Sequence, residues 1–107
     1  MTAQLPRELL DSLLARFDAR RLQAADLIDA LFAQTETVQL DAVLATAHKL
    51  AGIAATLGFD EIGAAATEVD RNAPALPLDH PSRKRLERLR TALIEAVRQP
   101  APEGDAQ

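Results

Sequence analysis

Three phenylalanines are the only aromatic side chains in this sequence, which has no Trp and no Tyr. Any core it builds must therefore be aliphatic. Hydrophobic residues make up 48% of the chain, and Leu, Ala, Ile and Val supply nearly all of them. That is material for packed helices, whereas β-rich domains draw on aromatic and β-branched residues. A chain of 107 residues reads as one domain and can bury a core without metals or disulfides. The absence of Cys removes disulfides, thiolate metal sites and thiol nucleophiles together. It fits a reducing cytoplasm, the expected compartment.

The net charge of −4 argues against a general nucleic-acid binder, which needs a basic surface to meet phosphates. The charge is uneven, because residues 83–98 hold Arg83, Lys84, Arg85, Arg88, Arg90 and Arg98 against Glu87 and Glu95. A solvated helix face is the simplest reading of that run. No apolar stretch approaches the roughly 20 residues a membrane span needs. The opening residues lack the apolar segment of a signal peptide.

Apolar residues recur at helical spacing in successive blocks. The first runs from Pro6, suited to a first helical position, to about Gln34. It carries Leu9, Leu10, Leu13, Leu14 and Phe17, then Ala24, Leu27, Ile28 and Leu31. Arg20 and Arg21 interrupt its stripe, and a break near Asp18 is expected. The second helix starts around Thr37, a plausible N-cap, and carries Leu40, Val43, Leu44, Ala47, Leu50, Ala51, Ala54 and Leu57 toward a stop at Gly58. A third spans about Asp60 to Asn72, with Asp60 as a possible cap and Ile62, Ala65, Ala66 and Val69 facing inward. Pro74, Pro77 and Pro81 then mark an extended connector, which includes His80. The last helix is expected over 82–98, with Leu86, Leu89, Leu93 and Val97 as its seam. Short connections imply antiparallel neighbours. The expected fold is all-α: an up-and-down four-helix bundle over residues 1–98, with an additional N-terminal helix or helix extension, and a disordered tail over 99–107.

His48 invites a helical projection, at 100° per residue. The apolar stripe centres near Ala47, Ala54 and Leu40, and His48 lies roughly 110° away, at its boundary. Its neighbours three and four positions along are Leu44, Ala45, Ala51 and Gly52, with Ala55 continuing the strip. Gly52 is unexpected there, since glycine costs a helix about 1 kcal/mol relative to alanine. A glycine one turn from a boundary histidine lets another surface come close to the ring. Leu44, Ala45, Ala51, Gly52 and Ala55 thus form a candidate docking patch. The alternative for Gly52 is close packing between two helices.

The segment Ala47-His48-Lys49-Leu50-Ala51-Gly52-Ile53-Ala54-Ala55-Thr56-Leu57-Gly58 resembles the signature of bacterial histidine-containing phosphotransfer domains. That pattern is Ala-His-x-Leu-Lys-Gly, then small residues, then Gly. The run from Phe59 to Val69 resembles the next family helix. The resemblance implies that His48 is a phosphoryl acceptor, taking the group on Nε2 from a receiver-domain aspartyl phosphate and handing it to another receiver. Imidazole is a competent nucleophile near neutral pH. The receiver would bring its own Asp and Mg²⁺, so no cofactor of this chain and no autokinase activity is expected. Many family members carry Lys three residues after the His; here that residue is Ala51. Lys49, Arg71, Lys84 and Arg85 are the candidates for positive charge near the phosphate. An open phosphotransfer face implies a monomer.

Other classes fit less well. The dimerisation helices of histidine kinases usually have an acidic residue after the His, then Thr or Asn and Pro; here those places hold Lys49, Gly52 and Ile53. A metal or haem bundle needs several converging ligands, and the chain has two histidines. A Ser–His–Asp hydrolase has no nucleophile elbow to build on. A bundle that binds a signalling partner without carrying phosphate is the remaining alternative, and transfer of labelled phosphate discriminates it.

Overall fold

The computed structural model describes residues 6–99. Four helices follow one another: α1 (Arg7–Gln34), α2 (Thr37–Ile53), α3 (Asp60–Arg71) and α4 (His80–Glu95). No strand occurs among the described residues. Each helix packs on its neighbours in the order α1–α2–α3–α4–α1, and no Cα atoms approach within 8 Å across either diagonal. This is the antiparallel bundle that the short connections imply.

The core is aliphatic with one aromatic pair. Phe17, Ile28 and Leu31 of α1 meet Leu40, Val43, Ala47 and Leu50 of α2, Ile62 and Val69 of α3, and Leu86, Leu89 and Leu93 of α4. Phe17 stacks on Phe59, with ring centroids 4.6 Å apart. Phe59 opens α3, so α1 passes the α2–α3 turn at Phe17 and its first turns extend beyond it. Leu10, Leu13 and Leu14 on that extension pack partly buried against the core.

The break expected near Asp18 does not occur, and α1 runs unbroken for 28 residues. No Gly or Pro lies within it to stop a helix. Arg21 is accommodated by reaching across to α4: its Nε donates to Asp18 at 2.9 Å and its Nη1 to the Leu93 carbonyl at 2.7 Å. That carbonyl is one of the four that the end of α4 leaves without an intrahelical partner. The first helix is thus extended, and no separate N-terminal helix is present among the described residues.

Helix ends depart from the expected caps. Thr37 is the first residue of α2, and Glu36 holds the cap position without a side-chain bond. Asp60 lies inside the first turn of α3 beside Glu61, and Phe59 holds the cap position. There the two carboxylates face the positive end of the helix dipole. His80, expected in the connector, is the first residue of α4. Asp79 caps that helix, accepting from the Ser82 N–H at 2.8 Å. At its other end α4 stops at Glu95, so Val97 leaves the expected seam and is 58% exposed. Gln99 is held by a hydrogen bond to the Gly58 carbonyl; the rest of the expected tail, residues 100–107, lies outside the described residues.

Candidate functional site

His48 sits on the fourth turn of α2, one residue past Ala47, which is fully buried. The stripe residues Leu40, Ala47 and Ala54 all point into the core. The rotation that separates His48 from them puts its side chain 75% in solvent.

One ring nitrogen of His48 is engaged. Nδ1 lies 3.1 Å from Asp70 Oδ2 and 3.2 Å from Oδ1. Carboxylate oxygens accept, so the hydrogen resides on Nδ1. In the neutral ring Nε2 is then the nitrogen with the free lone pair, on the far side of the ring from Asp70. Asp70 belongs to α3 and was not among the residues singled out from sequence. A signal for it exists in the spacing: His48 and Asp70 each lie eleven residues from Phe59, so an antiparallel pair turning there brings them level.

The expected docking patch divides into two kinds of residue. Ala45, Gly52 and Ala55 are exposed, whereas Leu44 and Ala51 are half-buried and pack against the core. Gly52 has open space before it, since a Cβ built there meets nothing within 4 Å. Close helix packing therefore does not explain this glycine. That role falls to Gly63 on α3, where a Cβ would touch Ala55 at 3.4 Å.

On the side of α2 away from Asp70, a groove of about 450 Å³ separates α2 from α1. Ala24, Leu27, Leu50 and Ile53 give it an apolar lining, Gly52 opens it, and Arg20 and Lys49 supply its charge. Neither cation has an ion-pair partner among the described residues. Arg20, read from sequence only as an interruption of the stripe, therefore shares a groove with Lys49. The face thus has a carboxylate at its α3 edge and cations at its α1 edge.

The other expected cations are placed differently. Arg71 follows Asp70 at the exposed end of α3. Lys84 and Arg85 stand on α4, none of whose Cα atoms lies within 8 Å of α2. The fold puts them diagonally across the bundle and does not bring them to His48. No cluster of three or more His, Cys, Asp or Glu side chains suited to a metal ion occurs among the described residues. No described helix is long and apolar enough to cross a membrane.

The model of the family described as Hpt domain matches residues 8–100. No curated protein and no solved structure matches the chain. The family match extends over all four helices, including the one that presents His48. By that match, and in keeping with its bundle, the chain belongs to the Hpt domain family, the histidine phosphotransfer domains of two-component phosphorelays.

Proposed function

We propose that this protein is a phosphorelay intermediate in the cytoplasm, with His48 as its phosphoryl carrier. The observation that carries the reading is the state of the imidazole: exposed, with Nδ1 tied to Asp70 and Nε2 free. In the forward step the Nε2 lone pair attacks phosphorus of a receiver's aspartyl phosphate. The N–P bond forms as the P–O bond to the aspartyl carboxyl breaks, and the receiver's carboxylate leaves with the electron pair. The ring now bears phosphorus on Nε2 and hydrogen on Nδ1, so it is cationic, and Asp70 is its counter-charge. Transfer to a second receiver reverses these bond changes.

Phosphoryl transfer rests chiefly on alignment and charge stabilisation. The bundle contributes an aimed ring; Mg²⁺ and the acidic cluster that holds it come with the receiver. Gly52, Ala45 and Ala55 let that partner approach, and the Arg20–Lys49 groove offers cations to its acidic rim. With Ala51 where many family members carry lysine, Lys49 and Arg20 in the groove and Arg71 at the end of α3 are the cations that border this face. The protein acts as a monomer, with no autokinase activity and no cofactor of its own.

The test is incubation with phosphorylated receiver domains followed by identification of the modified residue. His48→Gln should take up no phosphate, while keeping its helicity and melting within a few degrees of wild type, because so exposed a ring contributes little to packing. The phosphorylated protein should be labile in acid and stable in base, as a phosphoramidate is. Replacing His80 should leave transfer intact. Labelling retained in the His48 variant would end the reading.

A further inference from the structure

The chain beyond α4 turns back on the bundle. Ala96 adopts a left-handed conformation, φ 38 and ψ 66, and its N–H bonds the Ala92 carbonyl. This reversal carries Val97–Gln99 onto the α2–α3 turn. There Arg98 Nε donates to the Leu57 carbonyl at 2.8 Å, and the Gln99 N–H donates to the Gly58 carbonyl at 2.6 Å. Neither carbonyl accepts from another backbone N–H among the described residues.

Gly58 is shaped for this contact in two ways. Its φ of +92 is a conformation side chains resist, and a Cβ there would run into the Gln99 carbonyl oxygen. The strap also accounts for the early end of α4. Continuing the helix would keep Val97 on the seam, but it would leave the Leu57 and Gly58 carbonyls without these donors.

Resting on the phosphotransfer reading, we infer that Ala96–Gln99 is a strap that fixes the end of the His48 helix for docking by a protein partner. His48 is five residues from Ile53, where α2 ends. Gly52, Ile53 and Ala55 span the junction between helix and turn, and each borders the docking face or its groove. If the turn loosens, these residues lose their fixed relation to the imidazole. A receiver must fit that whole surface, whereas a small phosphodonor needs only the ring.

Amide hydrogen exchange and transfer kinetics on the full chain test this. In the wild type the Gln99 amide, outside any helix, should exchange at least tenfold slower than an unstructured amide. Arg98→Ala should abolish that protection and speed exchange of the Leu57, Gly58 and Phe59 amides about tenfold, leaving Leu89 in α4 unchanged. Receiver-dependent transfer should fall several-fold, while labelling by phosphoramidate, where the wild type accepts it, changes less than twofold. Arg98→Lys, which retains a donor, should lie between. An unprotected Gln99 amide in the wild type overturns the strap, as does an equal rise in exchange throughout the molecule. A loosened turn with unchanged receiver transfer overturns its docking role. A wild type that takes no phosphate from any receiver, yet keeps the protection pattern, counts against the phosphotransfer reading and the docking role while leaving the strap itself in place.

Discussion

His48 Nδ1 and the Asp70 carboxylate lie 3.1 Å apart across the α2–α3 interface, on a face where the imidazole is otherwise in solvent. The pair joins two helices but buries neither partner: Asp70 is 39% exposed. Its consequence is less for stability than for the ring. A histidine free to rotate offers either nitrogen in either tautomer; one tied through Nδ1 offers Nε2 in one orientation.

Asp70→Ala should therefore slow phosphate acceptance by about three- to tenfold, in line with roughly 0.5–1.5 kcal/mol for one hydrogen bond. Asp70→Asn, which keeps an acceptor but no charge, should lose less. Nitrogen-15 spectra of the imidazole should show hydrogen on Nδ1 in the wild type and a mixture of tautomers in the Ala variant. An unchanged tautomer ratio together with slowed transfer would mean that Asp70 acts on the partner and does not orient the ring.

Gly52 separates docking from folding. Open space surrounds the position, so Gly52→Ala should raise helix stability by up to about 1 kcal/mol. Gly52→Gln should also fold, yet its longer side chain should obstruct a receiver and cut transfer more than Ala does. Melting and receiver-dependent transfer on both variants decide the matter. Loss of stability in both, with normal transfer per folded molecule, would remove Gly52 from the docking face.

The groove cations should act through approach. Lys49→Ala and Arg20→Ala should each reduce receiver-dependent transfer only modestly, since exposed charge pairs contribute about 0–1 kcal/mol. Reversal of both to Glu should cost more, and the difference from wild type should shrink as salt rises, because screening shortens the reach of surface charge. Stopped-flow rates across a salt series check this. A thousandfold loss from Lys49→Ala alone would make it an essential group at the phosphate instead.

Asp79 makes an acid-range prediction. The Ser82 backbone N–H, reinforced by its side chain, holds the Asp79 carboxyl below its ordinary value of 3.8. A carboxyl depressed in the folded state stabilises above its unfolded pKa, and that contribution fades as pH falls through the folded value. Wild type should thus lose the contribution of this cap only below about pH 4. Asp79→Ala should melt lower at neutral pH, and the gap from wild type should narrow as acid is added. A constant gap down to pH 2 would show that the charge of Asp79 contributes nothing to the cap.

Much of this protein was legible in its sequence because its information is local. Helical periodicity marked the four blocks that fold as helices, although it placed a break in the first, since burial of one face follows directly from the 3.6-residue repeat. The same projection put Ala47 inside and His48 outside, and the signature around His48 identified the family. Gly58 announced its turn because a left-handed residue there suits glycine.

What the tertiary structure decided concerns partners distant in sequence. Arg21 sits at a helix-facing position because the Leu93 carbonyl of another helix lies within its reach; a periodicity plot registers it only as a break. Val97 continues the spacing of the seam, yet α4 ends before it, and Arg98 and Gln99 bond two carbonyls of the α2–α3 turn. Lys84 and Arg85 counted as candidates until the bundle order set α4 across the diagonal from α2. Asp70 carries no mark in its immediate neighbours, and only its spacing from Phe59, equal to that of His48, hints at it. Its role depends on the register of α3 against α2, set by packing around Phe59 and the turn before it, and only that register brings a carboxylate level with His48.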